Sequence, residues 1–306
     1  MGGHVFGTTT PIKKENIDPT LQKFIVKLGH IFPEKKHTFK SFGKLGSVGK
    51  KDISGDIDLS YDIQNILPEG KPDFKVWGID RNKFNALVFE FTKRARTATS
   101  EKIQLRAMIE LIGEKIDKFL KDIDTKSSGG GSIFCNIPQY NTLGEKIGVN
   151  VQIDINIGNP EWLRFSYYSN TYSGNVKGLH RTQLMLALFS EKGYTFGHTT
   201  GVINKKTHKQ EANTPKEAIR LLNRVYKFNL TQDILDDYFK LEDFLRNNLS
   251  SDEYNNIIDR YLKILDSTRT DIPDNLQKYW LGNKKRLDLK GKFLPEDSKL
   301  FKYKTV

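Results

Sequence analysis

"LGSVGKKDISGDIDLSYDI", residues 45–63, decides how this chain is read. In its second half Ile57, Leu59 and Tyr61 alternate with Asp56, Asp58 and Ser60. A period of two predicts a β-strand with one face for a core and one face carrying acid. Carboxylates at i and i+2 stand about 7 Å apart on one strand face. They repel each other and resist burial, which makes them a poor choice for a strand that serves packing alone. A divalent cation relieves the repulsion. Mg²⁺ takes a few carboxylate oxygens, its own waters and substrate phosphates; a pair of such ions activates an attacking hydroxyl and stabilises a leaving group.

A site of that kind needs a further carboxylate from another segment. "GVNVQIDINIG" (148–158) supplies the candidate. Val151, Ile153, Ile155 and Ile157 face one way in this strand, and Gln152, Asp154 and Asn156 the other. If it pairs with the strand at 55–61, Asp154 joins Asp56 and Asp58 on one sheet face, with Asn156 and Asp80 as its rivals for the place. The glycine turn before the acidic strand fits the same chemistry. Gly46 lets backbone approach a phosphate closely, Ser47 adds a hydroxyl, and backbone amides after a strand, at a helix start, form an anion cradle. Lys50 and Lys51 stand between turn and carboxylates, where a triphosphate would lie.

Leu45-Gly46-Ser47, a spacer, Asp56-Ile57-Asp58-Leu59 and the later Asp154 resemble the polymerase β-type nucleotidyltransferase superfamily, which includes poly(A) polymerases, CCA-adding enzymes and oligoadenylate synthases. The form of the motif is similar to members carried by phages and large viruses. The spacer of eight residues is slightly shorter than the family's. The resemblance covers 45–59 and, less specifically, 150–157. It implies an α+β fold: a mixed-sheet nucleotidyltransferase palm followed by a helical domain. It also implies two Mg²⁺ ions, with Mn²⁺ as a substitute, and transfer of a nucleoside monophosphate from an NTP such as ATP with loss of pyrophosphate. Asp56, Asp58 and Asp154 would be the metal ligands and catalytic carboxylates, and Asp154 would help to deprotonate the acceptor hydroxyl.

Outward from these motifs the chain divides into two expected parts. Residues 1–175 read as the catalytic domain, with a helical insertion over about 80–123; residues 176–306 read as all-helical with a basic C-terminal tail from Lys284. Within the first part, 16–32 is a predicted helix capped by Asp18 with Pro19 in its first turn, and "DTKSSGGGSIF" (124–134) is a predicted flexible loop. In the second part, Thr214, Pro215 and Glu217 form a capping box at the head of a helix, and 231–249 reads as one helix.

Composition narrows the classes. The 306 residues carry 49 Lys+Arg against 37 Asp+Glu, a net charge of +12, which favours an anionic partner. One cysteine, Cys135, excludes an internal disulfide framework, and no Cys/His zinc spacing occurs. No apolar leader and no run long enough to span a bilayer is present, so the expected setting is the cytoplasm, a reducing compartment, with no membrane partner. After the third carboxylate, "RFSYYSNTYSGNVKGLHR" (164–181) interleaves aromatic and basic residues. Tyr168, Lys177 and Arg181 are its candidates for stacking a base and holding phosphates, beside Gly46, Ser47, Lys50 and Lys51; ordinary amphipathic packing is the competing explanation. The expected activity is template-independent transfer to an acceptor hydroxyl, a nucleic-acid 3′ end such as RNA by virtue of the charge. The alternatives are transfer to a protein, small molecule or nucleotide, as in second-messenger synthesis, and a nucleic-acid-binding module without catalysis.

Overall fold

The computed structural model describes residues 5–95, 99–128, 131–169, 178–268 and 270–276. The fold is mixed α and β, with a mixed five-stranded sheet. The chain divides into two compact units, Met1–Arg164 and Phe165–Val306.

In the first unit β1 (Ile12–Lys13) leads directly into α1 (Lys14–Ile31). The helix thus begins a turn earlier than its sequence predicts, and Pro19 lies inside it. Asp18 is not its cap but pairs with Lys44. Three short strands follow: β2 (Gly43–Lys44), β3 (Ile53–Ser54) and β4 (Ile57–Asp62). After α2 (Phe74–Trp77), α3 (Arg81–Arg94) and α4 (Ser100–Phe119) occupy the stretch read as helical, 80–123, before β5 (Asp124–Ser128), β6 (Ser132–Tyr140) and β7 (Lys146–Gly158). Of the stretch 124–134, predicted as a loop, residues 124–128 and 132–134 instead pair antiparallel as β5 and the start of β6. Their polar composition suits an edge strand that faces solvent and hid the alternation.

The sheet order is β2-β4-β7-β6-β5. β4 and β7 are parallel neighbours, with Ile57 opposite Ile153 and Asp58 opposite Asp154; the other pairings are antiparallel. Across the three central strands one sheet face is apolar: Ile57, Leu59, Ile153, Ile155, Cys135 and Ile137 are all at most 4% exposed. α1 and α4 pack on it through residues such as Phe24, Leu28, Ile109 and Ile112, and each such side chain contributes roughly 1.5–3 kcal/mol. At one end of this layer Phe32, Phe39, Phe42, Tyr61 and Trp77 form an aromatic cluster, with the Tyr61 hydroxyl 2.6 Å from that of Thr38. Because a strand alternates, packing the isoleucines against helices sends Asp58, Gln152, Asp154 and Asn156 to the opposite face.

α5 (Pro160–Ser166) spans the division between the units. The second unit contains α6 (Gly178–Glu191), β8 (Tyr194–Gly197), β9 (Gly201–Asn204), β10 (Gln210–Ala212), α7 (Pro215–Tyr226), α8 (Gln232–Leu235), α9 (Tyr238–Asn248) and α10 (Ser251–Ser267). It is therefore not all-helical: residues 194–212 form a three-stranded antiparallel sheet. Gly201, at φ +78°, explains one tight point, since a Cβ there would meet the Ala212 carbonyl. The Thr214–Glu217 capping box is present at α7. The predicted helix at 231–249 is broken at Asp236–Asp237, where the Asp237 carboxylate accepts from the Phe239 and Lys240 amides and starts α9. The basic tail lies outside the described residues.

Candidate metal centre

Asp56 immediately precedes β4, Asp58 is its second residue, and Asp154 sits in mid-β7. The parallel register places Asp58 beside Asp154. Each of the three half-buried carboxylates offers an oxygen, and these oxygens lie within 4.8 Å of one another. Asp80 is elsewhere, capping α3 through the Asn82 and Lys83 amides.

The electrostatics are those of a site short of positive charge. Burial, and after it the charges of Asp56 and Asp154, hold the Asp58 carboxyl well above the usual carboxylate range, against the pull of a hydrogen bond from Asn156. Burial likewise pushes Asp154 up to about 7; a hydrogen bond from Gln152 opposes the shift and Asp56 adds to it. The donor set is oxygen alone, without imidazole or thiolate. Such a set suits a hard cation, Mg²⁺ or Mn²⁺, and not a zinc site.

Two amides support the carboxylates. Gln152 Nε2 donates to Asp154 Oδ1 at 2.7 Å, and Asn156 Nδ2 to Asp58 Oδ1 at 3.4 Å. The sequence reading placed both on the polar face, Asn156 only as a rival to Asp154 and neither as a support; the signal was there, in polar residues two positions either side of Asp154 in an otherwise isoleucine-rich strand.

No protein-family model matches the chain, and no curated protein matches its sequence.

The Gly-Ser turn is joined to the backbone of Asp58, because the Leu45 amide donates to the Asp58 carbonyl at 2.9 Å. No helix starts directly after it. Gly46 and Gly49 take φ of +59° and +73°, and residues 46–50 form consecutive turns that lead to β3. Left-handed backbone at both glycines prevents a helix from starting. Among the described residues the Gly46, Ser47 and Gly49 amides donate no hydrogen bond. Any anion cradle here is therefore one of turn amides, not of a helix dipole. Lys50 is exposed and Lys51 half-buried in the same segment.

The remaining candidates belong to the second unit. Arg181 is 2% exposed. Its guanidinium donates to the Leu235 and Phe165 carbonyls and pairs with Asp236 at 3.0 Å, and it lies over the Phe165 and Tyr168 rings. It is a buried structural cation, and the expectation that it holds a phosphate is corrected: its donors are committed to its own unit. Half-buried Tyr168 is part of the same packing. Lys177 lies outside the described residues.

Proposed function

We infer that this chain is a metal-dependent nucleotidyltransferase with a polymerase β-type palm, moving a nucleoside monophosphate from an NTP to an acceptor hydroxyl. The observation that carries the reading is the register of β4 and β7, which aligns Asp58 with Asp154 next to Asp56 on the sheet face that α1 and α4 leave free. Three carboxylates gathered there serve no packing purpose, and Asp56 raises the proton affinity of Asp58 and Asp154, as Asp154 does that of Asp58; ligation of a cation is what makes the arrangement favourable.

Asp56, Asp58 and Asp154 would hold Mg²⁺, which when bound supplies charge stabilisation for phosphoryl transfer. The glycine turn at 46–49, joined to Asp58 through the Leu45 amide, supplies donors for phosphate oxygens. Lys50 and Lys51 add positive charge in that turn. The net charge of +12 favours a nucleic-acid 3′ end as acceptor.

Incubation with each labelled NTP and Mg²⁺ or Mn²⁺, with and without RNA, tests the reading. Label is expected on an acceptor with the natural chain and on none with Asp56→Ala, Asp58→Ala or Asp154→Ala. Label retained at full rate by any of these variants, or by none of the NTPs with the natural chain, overturns it. Label on protein or on a small molecule in place of RNA would reassign the acceptor and leave the transfer chemistry standing.

A further inference from the structure

Gln152 and Asn156 stand two residues either side of Asp154 on β7, so all three side chains leave the same face. Both amides are buried, each 2% exposed. A buried primary amide has a donor end and an acceptor end to satisfy, and here each end has its own partner. Gln152 Oε1 accepts from the Val5 amide at 3.0 Å, and its Nε2 donates to Asp154 Oδ1 at 2.7 Å. Asn156 Oδ1 accepts from the Ser132 hydroxyl at 2.8 Å; its Nδ2 faces Asp58 Oδ1 at 3.4 Å and the Asp154 carbonyl at 3.3 Å. Rotating either amide by half a turn would set oxygen against oxygen at the carboxylate, and at Gln152 it would also orphan the Val5 amide, which is costly in a buried place.

The tethers reach beyond β7. Ser132 is on β6, directly opposite Asn156. Val5 belongs to an N-terminal segment bound along its length: Lys126 Nζ donates to the Val5 carbonyl, the Thr10 amide donates to the Asn150 carbonyl at 2.8 Å, and Ile12–Lys13 pair with Ile53–Ser54. That last pairing ends two residues before Asp56. The same segment therefore touches β7, which carries Asp154, and β3, which ends just before Asp56.

We propose that Gln152 and Asn156 are positioning residues of the metal centre, each holding one oxygen of a carboxylate and so assigning the other oxygen to the cation. The inference rests on the metal-dependent reading above. Neither amide touches the cation; each acts through Asp154 or Asp58. A carboxylate with one oxygen engaged binds a cation through a single oxygen. That favours small octahedral Mg²⁺ and Mn²⁺ over Ca²⁺, which readily takes both oxygens of a carboxylate. The two amides thus set selectivity as well as affinity.

Mn²⁺ and Ca²⁺ titrations by calorimetry, with metal-free thermal melts alongside, decide the matter. In Gln152→Met, which keeps length and volume, Mn²⁺ affinity is expected to fall about tenfold, the lower end of what supporting residues around metals contribute, and Ca²⁺ affinity to fall less. The loss is expected to vanish when Gln152→Met is placed in an Asp154→Asn background, because the residue acts through that carboxylate. Ser132→Ala leaves β7 untouched and frees the Asn156 amide; a weaker loss of Mn²⁺ affinity is expected there. If Gln152→Met fails to melt cooperatively, Ser132→Ala carries the test. Natural Mn²⁺ affinity in folded variants, or an equal loss in the Asp154→Asn background, overturns the proposal while leaving the metal centre in place. Absence of Mn²⁺ binding by the natural chain overturns the metal-centre reading and this inference with it.

Discussion

At the scale of single residues the protein stores a protonation imbalance at one point. Asp58 and Asp154 bind protons more tightly in the folded chain than ordinary aspartates do, chiefly because they are buried and then because Asp56 stands beside both, with Asp154 adding to the shift of Asp58. The sign of the consequence follows from linkage: where the folded state holds the extra proton, stability falls as pH rises. For Asp154 the fall starts near the ordinary value of 3.8 and is complete above about 7. The metal-free melting temperature is therefore expected to decline between pH 5 and 8. Asp58→Asn, which removes a repelling charge and keeps the shape, should be more stable than the natural chain at neutral pH, by about 1–3 kcal/mol, or on the order of 3–8 °C. Millimolar Mg²⁺ should raise the melting temperature of the natural chain more at pH 8 than at pH 5.5, and that of Asp58→Asn little at either. Circular-dichroism melts across pH, with and without Mg²⁺, measure all of this; a natural chain that melts higher as pH rises without metal would contradict it. That Asp56, Asp58 and Asp154 come together was legible from the sequence, because charge in an alternating apolar strand has no packing explanation. Arg181 was not. In the sequence it is one more basic residue among tyrosines, and only the fold reveals Asp236 and two carbonyls 54 and 16 residues away closing around it.

At the scale of elements, legibility followed hydrophobic alternation. β4 and β7 stood out because their isoleucines repeat every second residue, and their pairing followed from the need to bury both apolar faces under α1 and α4. β5 did not stand out, since Asp124–Ser128 is polar on both sides and is fixed by its pairing with β6. The strands at 194–212 are three or four residues long, too short to show a period between helices that do. The N-terminal segment has no regular pattern at all, yet it binds β7 through Asn150 and Gln152 and pairs with β3. Val5→Pro tests that element separately from the side chains it supports, because proline removes the one amide donor to Gln152 Oε1 and nothing from the carboxylates. Mn²⁺ affinity is expected to fall in Val5→Pro by less than in Gln152→Met, with no further loss when the two are combined. Additive losses in the double variant would mean that the segment supports the site by some route other than Gln152.

At the scale of the whole molecule the net charge of +12 separates possible acceptors. A nucleic-acid strand held by basic side chains releases condensed counterions, so its affinity falls as a power of salt concentration. Three backbone contacts to a single strand predict a loss of roughly twentyfold between 50 and 200 mM salt. An NTP or a small acceptor, bound by few charges close to the carboxylates and cation, is screened over a length of about 10 Å at 0.1 M and loses far less. With NTP and Mg²⁺ saturating, labelling of an RNA 3′ end is therefore expected to drop at least tenfold over that range, through the Michaelis constant for RNA and not through the maximal rate. A drop confined to the maximal rate would place the salt effect on the carboxylates themselves. No drop at all would assign the surplus charge to general solubility and turn the search toward an acceptor that carries no chain of phosphates.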